Sequence, residues 1–265
     1  MIPRPGWRAL AWAAILLVAA APRLLAQAPP PIADNSFLIE EAYNQESGVV
    51  QHISTFARAD GGESWDFSFT QEWPLTGQRH QVGFTLPIGY AETRGTGIGD
   101  LALNYRYQLA GAGEAPLHAA PRLSLLLPTG SEEDGRGRGS VGIQANLPVS
   151  YGLSPALVTH WNAGATLGTD ETTVDVNLGA SLIWRLRSSF NLLVEALWLS
   201  EEVPGPGGDR EEAAFLNPGV RWAHDVGELQ IVPGVAYTIG LGPSAGEDGL
   251  FLYLSFEHPF SRLPE

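Results

Sequence analysis

The sequence predicts an all-β protein, an antiparallel transmembrane β-barrel of about twelve strands with long loops at one end and short turns at the other. Three observations carry this. Apolar and polar side chains alternate along segments of about ten residues, the period of a strand whose two faces meet different surroundings. The connections between these segments alternate between long, acidic and Gly-rich runs and short turns. The chain opens with the layout of a secretory signal, and the remainder holds no apolar stretch long enough to span a membrane as a helix. A membrane protein built from such a remainder has to be a closed barrel, because a bilayer offers no partner to an unpaired backbone group.

At the N-terminus, Arg4 and Arg8 precede the apolar run Ala9 to Ala21, and Leu24-Leu25-Ala26 presents a small residue for cleavage, so residues 1–26 read as a signal peptide. Residues 27–47 form an N-terminal segment in which Pro29 to Pro31 make a stiff spacer. Its core, FLIEEAY, joins three apolar residues to two acids. Phe37, Leu38 and Ile39 need somewhere to bury, so the segment is either a periplasmic arm or a plug folded into the barrel. Residues 48–260 form the barrel, and 261–265 a short tail.

Within the barrel the predicted strands are Val49–Arg58, Ser64–Trp73, Arg79–Ala91, Ile98–Leu109, Leu117–Pro128 and Ser140–Tyr151. They continue with Pro155–Leu167, Thr172–Leu186, Phe190–Ser200, Ala213–His224, Glu228–Leu241 and Gly249–Pro259. The first alternates poorly, since Val49 and Val50 are both apolar. From a periplasmic N-terminus, odd-numbered connections should be long surface loops and even-numbered ones short periplasmic turns. The odd ones are RADGGES, ETRGTG, TGSEEDGRGRG, GTDE, EEVPGPGGDREE and GPSAGED; the even ones are PLTGQ, AGAGEAP, GLS, RSS and DVG. A soluble sandwich has no reason to sort its loops this way.

Composition narrows the function. The net charge of −14 argues against a nucleic-acid partner, which needs a basic face. With no cysteine there is no disulfide framework, zinc-thiolate site or cysteine nucleophile. No ligand spacing for a metal is present, and no cofactor motif. The runs GTGIG and GRGRG lie outside any strand-turn-helix unit and read as flexible turns.

The last strand, LFLYLSFEHPF, sets Leu250, Leu252, Leu254, Phe256, His258 and Phe260 on one face. It resembles the C-terminal signal strand of bacterial outer-membrane barrels, which implies recognition by the barrel-assembly machinery and closure against the first strand. It departs from that pattern in the tail Ser261 to Glu265. The run Asn35 to Gln45, together with Gly48 to His52 just after it, resembles the start of the outer-membrane family named for the meta pathway of phenol degradation. GIGDLALNYRYQL at Gly97 to Leu109 and PRLSLLLPTG at Pro121 to Gly130 extend the resemblance. It implies a bacterial outer-membrane channel, surrounded by outer-membrane lipid, that passes small, often aromatic, molecules.

Alternation alone leaves open which face points inward. The signal peptide, the closing strand and the resemblance assign the apolar faces to lipid: Val82, Phe84, Leu86 and Ile88 on one strand, Val176, Leu178, Ala180 and Leu182 on another. The lumen then receives charges of both signs, and its constriction candidates are Glu72, Arg106, Arg122, His160, Asp175, Glu195 and Arg221. Such a set either orients a solute or forms ion pairs that satisfy charge facing a barrel interior. About twelve strands enclose a lumen that admits a small solute only where side chains and the N-terminal segment allow it. Catalysis is not expected. His52 with Ser54 and His160 with Asn162 share strand faces, but neither pair sits where an outer-membrane hydrolase needs it. The expectation is a channel for small hydrophobic or aromatic solutes, with a non-transporting structural barrel or a lipid hydrolase as alternatives.

Overall fold

The computed structural model describes residue 32 and residues 36–260, apart from 76, 112–114, 170–172, 188 and 203–208. The signal peptide, Pro29 to Pro31, Asn35 and the tail Ser261 to Glu265 lie outside the described residues. Twelve staves make the fold: β1 Val49–Ala59, β2 Ser64–Pro74, β3 His80–Ala91, β4 in two pieces, Gly95–Ile98 and Leu101–Tyr107, β5 likewise Leu117–Ala119 and Arg122–Leu127, and β6 Gly142–Ser154. The remainder are β7 Leu157–Gly168, β8 Val174–Arg187, β9 Phe190–Glu202, β10 Arg210–Trp222 with His224–Val226, β11 Leu229–Gly240 and β12 Gly249–Pro259.

Every stave pairs antiparallel with its sequence neighbour, and β1 pairs along its whole length with β12, from Val49 opposite Pro259 to Ala59 opposite Gly249. The sheet therefore has no free edge, as a bilayer requires. Predicted and observed strands agree closely. One difference lies at the β6–β7 turn, where the strand runs on through Gly152 to Ser154 with a register shift, so the turn falls at Pro155 and Ala156. Gly152 donates its N–H to the Pro116 carbonyl, and this contact prolongs the strand past the glycine where the sequence predicts a turn.

Connections are short at one end and long at the other, as the sequence predicts. The faces are apolar outside and polar inside. Leu103, Leu125, Leu147, Leu178 and Leu252 stand exposed on the outer wall, whereas Arg106, His160, Glu195, Asn217 and Arg221 are buried within. That is the reverse of a soluble barrel. Aromatic rings gather at both ends of the outer wall on β1 to β4. Phe56 stacks on Trp65 and Trp65 on Tyr90 towards the long loops; His80 packs on Tyr105 and Tyr107 towards the short turns. These are the positions of interfacial girdles.

The inner face is not uniform. Across β2 to β4 it is polar, with Thr70 bonded to Thr85 at 2.9 Å and Asn104 donating to Thr85 at 3.1 Å. Across β7 to β12 and β1 it carries an apolar cluster of Ile53, Val158, Ile183, Leu193, Val232, Ala236, Phe251 and Tyr253, with Phe37 and Ile32 packed into it. On β1 the inward-facing Ile53 belongs to that cluster.

Candidate functional site inside the barrel

Residues 36–45 run through the lumen, and the wall holds them mainly by their backbone. The segment forms no helix or strand of its own, so each of its N–H and C=O groups needs a partner from elsewhere. Glu195, on β9, supplies three of these at once: it accepts the Phe37 N–H at 2.8 Å, the Leu38 N–H at 3.0 Å and the Ile39 N–H at 3.2 Å. Asn217 on β10 donates to its other oxygen at 2.9 Å. Asn162 on β7 clamps Glu40 both ways, accepting its N–H and donating to its carbonyl, each at 2.8 Å. Further along, Ala42 donates to Ser150, Asn44 to Gln108 and Gln45 to Gln81.

Side chains of the segment fit the wall closely. Phe37 lies with its ring centroid 5.3 Å from Tyr253 and 5.7 Å from Phe251. On its other side are Gly219 and Gly234, where an added Cβ would run into the Phe37 ring; at Gly179 it would run into Ile39. A glycine inside a strand marks such a close approach. These three inward glycines are the signal in the sequence that something packs against the inner wall, and they were not among the predicted site residues. Neither were Asn162, Ser150, Gln81 and Gln108.

The predicted constriction residues fall into three places. Arg106 and Arg122 face the segment directly. Arg106 donates to the carbonyls of Glu41 and Tyr43 and, at 2.9 Å, to the Asn44 side chain; Glu72 lies 3.8 Å from it. Arg122 makes a forked contact with Glu40, its Nε 3.0 Å from both carboxylate oxygens and its Nη2 2.5 Å from one. Glu195 also binds the segment directly, as described above, and His160 and Arg221 sit in the wall beside it. His160 shares a 2.6 Å hydrogen bond with Ser150 and meets the edge of the Tyr43 ring, while Arg221 is fully buried beside Gly234. Asp175 is separate. It stands at the long-loop end, paired with Arg138 and accepting the Glu202 N–H at 3.0 Å.

Between the segment and the long loops lies a cavity of about 360 Å³. Phe37, Leu38, Ile53, Phe251 and Tyr253 form one side; Arg122, Glu72, Asn104, Gln144 and three threonines form the other. It is shaped for a small molecule with an apolar body and a polar end.

Glu40 belongs to the segment rather than to a strand. Burial alone would raise its carboxyl pKa, but the charge and hydrogen bond of Arg122, with help from Arg106 and Asn146, outweigh burial and hold it below the ordinary value. A depressed carboxylate contributes its anchoring above the ordinary carboxylate range and loses it as pH falls through the lowered value. Acidifying the bath is therefore expected to loosen the segment, seen as rising single-channel conductance. A conductance that stays flat down to strong acid would mean that the Arg122 pair anchors nothing.

The family profile described as "Putative MetA-pathway of phenol degradation" matches residues 32–238. The stretches at Asn35 to Gln45, Gly97 to Leu109 and Pro121 to Gly130 all lie inside that span. No curated protein matches the chain significantly. Among solved structures, the chain is similar to an outer membrane channel from Pseudomonas putida F1, with a TM-score of 0.59 at 16% identity over 83% of this chain and 98% of that one. It is also similar to the KdgM porin, solved in complex with disordered oligogalacturonate, with a TM-score of 0.48 at 8% identity over 80% of this chain and 99% of that one. The first likeness is one of fold.

Proposed function

The chain belongs to the MetA-pathway phenol-degradation family, and from that premise we propose that it is a bacterial outer-membrane channel for uptake of small hydrophobic or aromatic solutes, held closed at rest by residues 36–45. The observation that carries the reading is the half-apolar, half-polar cavity lined in part by a segment that the wall binds inside the lumen. A barrel of about twelve strands lies between one that its own side chains fill and a wide aqueous channel, so a segment inside it decides whether it conducts. The similar Pseudomonas putida protein is itself an outer membrane channel. The long-loop end faces outward and the N-terminal segment enters from the periplasm, after removal of the signal peptide. The assembly machinery engages β12 through its alternating face from Leu250 to Phe260, and outer-membrane lipid meets the exposed leucines.

A lipid hydrolase is the weaker reading. His52 faces the lipid at the short-turn end, where its Nε2 lies 3.3 Å from that of His258 rather than beside an acid. The Ser150–His160 pair is buried in the lumen beneath Ala42 and Tyr43. A triad needs its serine open to substrate and its histidine oriented by an acid.

The test is single-channel recording of the purified mature protein in planar bilayers, with phenol or toluene added on the long-loop side. Discrete openings that the aromatic blocks in a concentration-dependent way are expected. A barrel that inserts and never conducts, with or without residues 36–45, would identify a structural protein instead.

A further inference from the structure

We infer that the solutes best able to open this channel are small apolar carboxylates, monoaromatic acids foremost, which do so by taking Arg122 from Glu40. The inference rests on the reading of residues 36–45 as a plug and names the chemistry that releases it.

Glu40 occupies Arg122 as a bound carboxylate would. The guanidinium approaches it side-on, with Nε 3.0 Å from both oxygens and Nη2 2.5 Å from one. That fork is the geometry in which arginine binds a planar anion. The arginine does not depend on Glu40 for its position. Its other donors go to Gln144 at 2.9 Å, to Asn104 at 3.3 Å and to Ser124, all on the barrel wall. The wall therefore presents a preformed carboxylate site that the chain's own glutamate fills.

The surroundings specify the rest of the ligand. The cavity of about 360 Å³ touches both Arg122 and the apolar patch of Phe37, Leu38, Ile53, Phe251 and Tyr253. A ring bearing a carboxylate can place its charge on Arg122 and its face on that patch. Replacing one carboxylate by another keeps the hydrogen bonds of Arg122, while Glu40 gives up its bond from Asn146 at 3.2 Å and carries its charge away to water with the freed segment. A neutral phenol or hydrocarbon offers Arg122 nothing of equal strength and leaves the Glu40 pair in place. At the outer mouth Asp175 and Glu202 are paired with Arg138 and Arg210, and an entering anion has to pass the further acids of the long loops.

Recording the full mature protein in planar bilayers with benzoate, and with phenol at equal concentration, tests this. In the native protein benzoate should raise open probability and phenol should not. Arg122→Gln, which also frees Glu40 and so should raise the benzoate-free open probability, should weaken the remaining benzoate response by about tenfold or more, the scale of one lost charge-assisted hydrogen bond. Arg122→Lys, which keeps the charge but loses the fork, should fall between them and serves if the glutamine variant does not assemble into a heat-modifiable barrel. Glu40→Gln should open without benzoate. Equal action of benzoate and phenol, or a benzoate response undiminished in both Arg122 variants, overturns the inference. If benzoate fails while a variant lacking residues 36–45 conducts, the carboxylate inference falls and the plug stands. If that deletion leaves conductance unchanged, the plug reading itself falls.

Discussion

Replacing Glu195 by alanine is expected to free the N-terminal segment and leave the barrel standing. The carboxylate accepts three consecutive backbone N–H groups, from Phe37, Leu38 and Ile39, and a fourth bond from Asn217. Alanine leaves these buried donors without their acceptor, and each costs about 1–3 kcal/mol when buried unpaired. The segment has a simple escape, since outside the lumen its N–H groups are hydrated. The strand ladder has none to make, because β9 pairs with β8 and β10 through backbone bonds that ignore the side chain at 195. The expected readout is a several-fold rise in single-channel conductance with the heat-modifiable, folded band unchanged on gels. Glutamine in place of Glu195 keeps an acceptor and should give a smaller rise. An alanine variant as closed as the native protein would mean that Glu195 does not hold the segment.

The second large effect concerns the outer wall. Leu178 on β8 is exposed, between Ala163 of β7 and Trp198 of β9. Arginine there places a charge in hydrocarbon and should cost about 2–4 kcal/mol if the site lies near the bilayer midplane. The expected outcome is a lowered urea midpoint for folding into phospholipid vesicles, with Leu178→Ala far milder. Its neighbour Gly179 faces the opposite way, against Ile39. Leucine at 179 should therefore spare vesicle folding and disturb the segment instead, raising conductance. If Leu178→Arg folds as well as the native chain, this stretch of wall does not face lipid.

Both predictions separate two kinds of information. The period of two was legible throughout β8, where Val174, Val176, Leu178, Ala180, Leu182 and Trp184 fall on one face, and in β12, where the even-numbered residues do. The sorting of connections was equally plain. Less legible was anything set by height along the barrel. Asp175 shares its parity with Asn177 and Ser181, yet it lies at the mouth with Arg138 while Ser181 meets Ser36 deep in the lumen. Parity tells which face a side chain is on and says nothing of its depth.

By itself, then, the sequence determined that the chain folds as about twelve antiparallel strands, where each begins and ends to within a few residues, and how the loops divide between the two ends. These are local matters, decided by the alternation of neighbouring residues and by turn chemistry. Alternation left open that the charged faces converge on a lumen, because it is unchanged when a sheet is turned inside out; the closing strand and the resemblance pointed there, and the tertiary structure shows it. It also decided what lies in that lumen. Glu195 meets Phe37 across 158 residues, and Arg122 meets Glu40 across 82. No periodicity links such distant positions. They are brought together when β1 closes on β12 and the wall encloses the segment that precedes it, whose unpaired N–H groups can be satisfied nowhere else inside the barrel.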